Sequence, residues 1–179
     1  MTFRVHFYAE RAFLSQTKSL LEQANLEEEP EISALCILAC ASAVEAVANS
    51  LLSKTIGFRH FDELKISSKI EQILLFAGTE PNWGIQPWQS ISQLIRTRNW
   101  LTHYKDFNVG LVNSDFVWLK DDHNKLPKID PYIELTFVRS RTYYDHSRMA
   151  LRELVKAAGA ADSDYEFLVS EHYEPFLVG

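Results

Sequence analysis

Apolar residues recur at helical spacing along most of the chain, and this pattern predicts a bundle of about five helices. In the third helix, Leu64, Ile70 and Ile73 fall on one buried stripe, with Asp62 as the expected N-cap and Gly78 as the stop. Glycine and proline number only six each, which favours long helices over a many-turned sandwich. The predicted helices span residues 8–24, 32–53, 62–77, 87–104 and 140–158.

The pattern changes after the fourth helix. Residues 116–119 and 133–138 are rich in aromatic and β-branched residues, which is typical of short strands, and a polar segment separates them. We therefore expect a mostly α, up-and-down helical bundle with a small β-hairpin insertion at 108–138, between the fourth and fifth helices. The whole chain, 1–179, is predicted to form a single domain. Its acidic C-terminal tail, 159–179, contains aromatic residues and is expected to dock on the bundle or on a partner.

Charge and composition restrict the function. The net charge of -6 and the pI near 5.5 are unlike those of a protein that coats duplex nucleic acid, so any action on RNA must come from a local site. The N-terminus lacks a basic region followed by an apolar one, which predicts a cytoplasmic protein without a signal peptide. The apolar stretch 32–52 could span a membrane by length. It carries Glu45 and Asn49 and has no basic flank, so we interpret it as a core helix.

The cysteine and histidine spacing does not predict a metal site. Cys36 and Cys40 are four apart in an apolar run, as expected of two small buried residues on one helix face. The histidines do not stand at ligand spacing on one helix. We therefore expect no metal and no cofactor.

Two charged residues stand where apolar side chains are expected. On a helical wheel, Arg98 lies in the middle of the predicted core line of the fourth helix, which also carries Ile91 and Ile95. Such an arginine must extend to the surface or pair with an acid. In the second helix, Glu45 is the only charged residue between Glu31 and Lys54. We predict that Glu45 pairs with Arg98 or His103, and a purely structural ion pair remains the simpler alternative.

These residues also form a recognisable motif. Residues 98–103, Arg-Asn-Trp-Leu-Thr-His, resemble the R-N-x-x-x-H signature of the HEPN superfamily, and residues 42–47 resemble its alanine-rich helix with an inward acid. The order of helices fits over roughly 8–158. The resemblance implies a homodimeric helical bundle with the two motifs facing each other across a twofold axis. Many HEPN proteins are metal-independent ribonucleases in toxin–antitoxin or phage-defence systems, so the implied partners are RNA, a second copy, and an antitoxin or regulatory protein.

The leading hypothesis is RNA cleavage to 2′,3′-cyclic phosphate and 5′-OH ends. His103 would shuttle the proton, and Arg98 would hold the phosphate through its donor fork. Asn99 would orient His103 or donate to phosphate, and Glu45 would position Arg98. Basic side chains expected to guide the RNA backbone are Lys105, Arg141, Arg148 and Arg152.

Geometry supports a site shared between two chains. Arg98 and His103 are five residues apart, so on an ideal helix their directions diverge by about 140°. One helix does not easily bring both groups to one phosphate, whereas two facing helices do. The alternative is a non-catalytic dimerisation or partner-binding module, in which the same polar residues form a buried network.

Overall fold

The structure is a computed structural model and describes residues 9–27, 29–103, 109–112, 115–118, 135–161 and 165–169. It confirms a mostly helical chain. The elements are α1 (Ala9–Glu27), α2 (Pro30–Ser50) continued by a π-helical turn (Leu51–Ile56), α3 (Ile66–Phe76), α4 (Trp88–His103), β1 (Val109–Val112), β2 (Asp115–Trp118), α5 (Phe137–Ala158) and α6 (Glu166–Val169).

Helix α2 is the centre of the core, and α1, α3, α4 and α5 all pack against it. It is apolar around most of its circumference, so it is stable only when neighbours cover it on several sides. The helical stretch Pro30–Ile56 contains an 18-residue segment with a mean hydropathy of 1.9, which is long and apolar enough to cross a membrane, but 67% of that segment is buried inside the protein. The helix ends at Gly57, whose φ of 73° is a left-handed conformation that glycine adopts without steric cost.

The residues of the predicted third-helix stripe that lie within α3 are buried, and apolar residues of α5 join them. Ile70, Ile73 and Leu74 of α3 enter the core, as do Leu151 and Leu154 of α5. They meet the central helix from different sides, which joins the bundle around one continuous apolar cluster.

The predicted start of the third helix is wrong. Asp62 does not cap α3, which begins four residues later at Ile66 with Lys65 in the N-cap position. Residues 61–64 instead form a turn, in which the Leu64 N–H donates to the Phe61 carbonyl at 3.0 Å. Leu64 therefore belongs to this turn and is only half-buried.

The predicted pairing of 116–119 with 133–138 is not supported. Phe137 and Val138 open α5 rather than a strand, and residues 119–134 lie outside the described part of the chain. Thr136 explains the difference, because its hydroxyl caps the helix by accepting from the Arg139 N–H at 3.2 Å. The antiparallel pair in the structure joins β1 to β2, with Val109 opposite Trp118.

The beginning of the C-terminal tail docks on the bundle. Tyr165 and Leu168 are buried, and the Tyr165 hydroxyl lies 3.1 Å from Ser50 Oγ at the end of α2. Two arginines of α5 hold the backbone of this segment, since Arg148 Nη2 and Arg152 Nε donate to the Leu168 carbonyl at 3.1 and 2.9 Å. Residues 170–179 lie outside the described residues.

Both cysteines are buried free thiols on the inner face of α2, as predicted. Cys36 donates to the Thr17 carbonyl at 3.7 Å, and Cys40 Sγ lies 3.3 Å from Ser147 Oγ. Burial raises the pKa of both thiols to about 12, because the thiolate would lose its hydration inside the core. Neither thiol is therefore in the reactive form near neutral pH.

We predict that the two thiols make the fold alkali-sensitive. The folded-state pKa exceeds the ordinary value of 9.0, so this stabilising contribution is complete below that pH and is lost as the pH rises toward 12. Between pH 7.5 and 10, urea unfolding should show a loss of about 1 kcal/mol per thiol. Cys40→Ala should remove about half of this pH dependence. Ile37→Val, a control between the two cysteines, should lower the free energy of unfolding equally at pH 7.5 and at pH 10. If the free energy of unfolding of Cys40→Ala depended on pH as steeply as that of the wild type, the pH dependence could not be assigned to the thiols.

Candidate functional site

One carboxylate joins three helices at the edge of the core. Glu45 of α2 accepts from Lys69 Nζ of α3 at 2.8 Å through Oε1, and its Oε2 lies 3.8 Å from Arg98 Nη2 of α4. The Glu45 and Arg98 side chains are 30% and 33% exposed. The trio carries two positive charges and one negative charge, so its net charge favours an anion at the exposed side.

Lys69 belongs to this site although it was not predicted from the sequence. It is 1% exposed, which is rare for a lysine, and a buried ammonium needs an anionic partner. Glu45 supplies that partner at a shorter distance than it offers to Arg98. The signal was present in the sequence, because Lys69 stands three residues after Ile66 and four before Ile73 on the apolar stripe of α3.

Arg98 lies at the edge of the core rather than within it. The predicted core line of α4 is buried at Ile91, half-buried at Ile95 and exposed at Thr102. Arg98 falls between the last two, and its side chain is 33% exposed, as expected of an arginine at the edge of a core. The predicted Glu45–Arg98 pair is therefore present, and Arg98 both pairs with an acid and reaches the surface.

Asn99 contacts Arg98 directly. Its Oδ1 accepts from Arg98 Nη1 at 3.1 Å, so the guanidinium is held by Glu45 on one side and by an exposed amide on the other. From the sequence we expected instead that Asn99 would orient His103 or donate to phosphate. His103 ends α4, and its side chain lies outside the described residues, as does Lys105.

The three other predicted basic residues lie on α5 and form a separate group. Arg141 Nε donates to Asp145 Oδ2 at 2.9 Å, one helical turn away. Arg148 and Arg152 converge on the Leu168 carbonyl of the docked tail. The structure thus brings Glu45 of α2 together with Arg98 and Asn99 of α4. Separately, Arg148 and Arg152 of α5 meet at the Leu168 carbonyl.

Glu45, Lys69, Arg98 and Asn99 form what we call the Glu45 cluster. Its chemistry is that of a cation held in a fixed orientation. A guanidinium fixed by a carboxylate and an amide offers its remaining donors in a defined orientation, which suits the bidentate recognition of phosphate. Lys69 is too deeply buried to contact a ligand, so it acts by compensating the Glu45 charge. Among the residues that the structure describes, there is no group of three His, Cys, Asp or Glu residues that could hold a metal ion.

Comparison with known proteins adds no relative, since no family model, curated protein or solved structure matches the chain.

We predict an asymmetry between the two members of the buried pair. Glu45→Gln should lower the free energy of unfolding by about 2–3 kcal/mol, because it leaves the buried Lys69 ammonium without its anion. Lys69→Met should cost less than about 1 kcal/mol, because Glu45 keeps Arg98 and partial access to water. Urea unfolding of both variants measures the difference.

The double variant Glu45→Gln/Lys69→Met serves as the decisive comparison. It should be more stable than Glu45→Gln alone, since no buried charge is left uncompensated. Glu63→Gln, which removes an exposed carboxylate, is the matched control and should be nearly neutral. Additive losses in the double variant would contradict the pairing.

Proposed function

We propose that this protein is a HEPN-type, metal-independent endoribonuclease that leaves 2′,3′-cyclic phosphate and 5′-OH ends. The observation that supports the proposal is the placement of Arg98. Its guanidinium is anchored by Glu45 and Asn99, is one-third exposed, and belongs to a cluster of net positive charge. Such a group suits the binding of a single phosphate and does not require a basic protein overall.

In the proposed reaction the ribose 2′-OH attacks the adjacent phosphorus and displaces the 5′-oxygen of the next nucleotide. A His103 imidazole takes the proton from the 2′-OH, and an imidazolium supplies a proton to the departing oxygen. Arg98 donates to the phosphate oxygens and offsets the charge that develops on them in the transition state. Glu45 and Asn99 are positioning residues, because they hold the guanidinium before the substrate arrives.

We further propose that the active form is a homodimer in the cytoplasm. The two roles of imidazole base and imidazolium acid are naturally divided between two copies of one histidine. The divergence of about 140° between Arg98 and His103 on one helix also favours a site built from two facing α4 helices. In a toxin–antitoxin or phage-defence setting, an antitoxin or regulatory protein would bind near this site and control it.

The second candidate is a non-catalytic dimerisation or partner-binding module. The observation in its favour is the burial of Lys69, which makes the Lys69–Glu45 pair a structural link between α2 and α3. If the protein is such a module, Arg98 extends the Lys69–Glu45 network and binds no substrate. The two candidates differ in whether loss of Arg98 abolishes a reaction or only weakens the fold or the dimer.

We expect the wild-type protein to cleave RNA from a mixed pool of transfer and messenger RNA in the presence of EDTA. His103→Ala should lower the cleavage rate by at least about a hundredfold, because it removes the group that transfers protons. Gel analysis with end-group mapping gives both the rate and the cyclic phosphate. His60→Asn is the matched control: His60 is exposed and has a φ of 64°, which asparagine tolerates, and its activity should be unchanged.

Full activity in His103→Ala would overturn the mechanism. Absence of cleavage by the wild type, together with loss of the dimer in Arg98→Ala by light scattering, would favour the interaction module. Arg98→Lys separates charge from geometry, since it keeps the cation and loses the planar donor fork.

A further inference from the structure

A cleft lies between α1 and α5, and none of the residues of the Glu45 cluster line it. It has a volume of about 280 Å³, and α1 contributes Lys18 and Asn25 to its wall. The wall from α5 alternates aromatic and basic side chains: Phe137, Arg141, Tyr144 and Arg148.

The spacing of the α5 residues produces this alternation. Positions 137, 141, 144 and 148 follow the steps of four, three and four that keep side chains on one helix face. The two aromatic rings are seven residues apart, as are the two guanidinium groups, so each pair is separated by about 10 Å along the helix axis. The result is one stripe in which every cation has an aromatic neighbour.

The cleft is positive on a protein that is negative overall. Its lining holds three cations and one acid, Glu22, whereas the chain carries a net charge of -6. Arg141 also pairs with the neighbouring Asp145, and that exposed pair can be exchanged for a ligand phosphate at little cost. A local concentration of cations on an acidic chain indicates an anionic ligand rather than general attraction.

The aromatic groups restrict the ligand further. The Arg148 guanidinium lies 5.8 Å from the centre of the Tyr144 ring, so a cation and an aromatic face are already paired in the cleft. Burial raises the pKa of Tyr144, which keeps the phenol neutral beside an anion. Leu21 is buried and provides an apolar floor. Inorganic phosphate would use the cations alone, whereas a nucleotide would use both kinds of group.

We propose that this cleft binds one nucleotide unit, with its phosphate on Lys18 and Arg141 and its base against Phe137 and Tyr144. The volume lies just below the usual range for small-molecule sites, so the cleft takes no more than one unit, and the rest of a strand would continue outside. Alternating cations and aromatic rings are the means by which proteins bind single-stranded nucleic acid without strong sequence preference. The site does not depend on whether the chain cleaves RNA.

Binding is tested by fluorescence anisotropy with a fluorescein-labelled 2′-O-methyl oligoadenylate of eight residues. This probe has no free 2′-OH at its internal positions, so the proposed cleavage does not enter the measurement. The double variant Lys18→Gln/Arg141→Gln should raise the Kd about tenfold or more and should lower the slope of log K against log salt by about one unit or more. Tyr144→Leu should weaken binding roughly tenfold through the loss of stacking.

Lys156→Gln is the matched control. It removes one exposed cation from the same helix outside the cleft and should leave the Kd within about twofold. Circular dichroism of each variant separates loss of fold from loss of binding. If Tyr144→Leu does not fold, the double charge variant still decides the question.

Competition identifies the source of the nucleotide. Displacement of the probe by AMP, but not by adenosine or by inorganic phosphate, would assign the cleft to free mononucleotides. Cleft-dependent binding that AMP does not displace would assign it to a strand of RNA. Absence of saturable binding, or equal weakening by Lys156→Gln and by the cleft variants, would overturn the proposal. RNA cleavage without cleft-dependent binding would leave the proposed function standing and remove only this site.

Discussion

The ion pair between Lys69 and Glu45 is the constraint on which the arrangement of α2, α3 and α4 depends. A nearly inaccessible ammonium is stable only beside an anion, and Glu45 is 2.8 Å away. Rotation or sliding of α3 against α2 would separate the two charges and leave Lys69 in an apolar surrounding. Apolar packing alone tolerates alternative registers between smooth helix faces, whereas this pair specifies one of them.

The same carboxylate explains why Arg98 is available at the surface. Glu45 lies closer to Lys69, at 2.8 Å, than to Arg98, at 3.8 Å, so the guanidinium is oriented without being fully enclosed. Asn99 then fixes the other side at 3.1 Å. A cation that is oriented beforehand loses less conformational freedom when it binds a phosphate, which is the property that a catalytic or binding arginine requires.

Local pattern predicted much of this arrangement, and contacts between distant segments account for the rest. The helices, the burial of both cysteines and the Glu45–Arg98 pair follow from periodicity and from the rule that inward charges need partners. The role of Lys69 required knowing which face of α3 meets α2. Residues 133–138 alternate like a strand, yet a helix begins at Phe137, and the Thr136 hydroxyl supplies its N-cap. The candidate site shows the same difference. Arg98 and Asn99 of α4 were predicted from local pattern, whereas Lys69 of α3, which depends on how two helices pack, was not.

The basic face of α5 illustrates how one residue can serve two surfaces. Arg148 lines the cleft with α1, lies against the Tyr144 ring and donates to the Leu168 carbonyl of the tail. The sequence predicted that Arg148, Arg141 and Arg152 together guide the RNA backbone, but α6 docks beside them, and Arg148 and Arg152 both donate to the Leu168 carbonyl. The guanidinium that borders the cleft is therefore held in place from outside it. Tail docking, itself secured by Tyr165 and Leu168 in the core, becomes part of what shapes the nucleotide cleft.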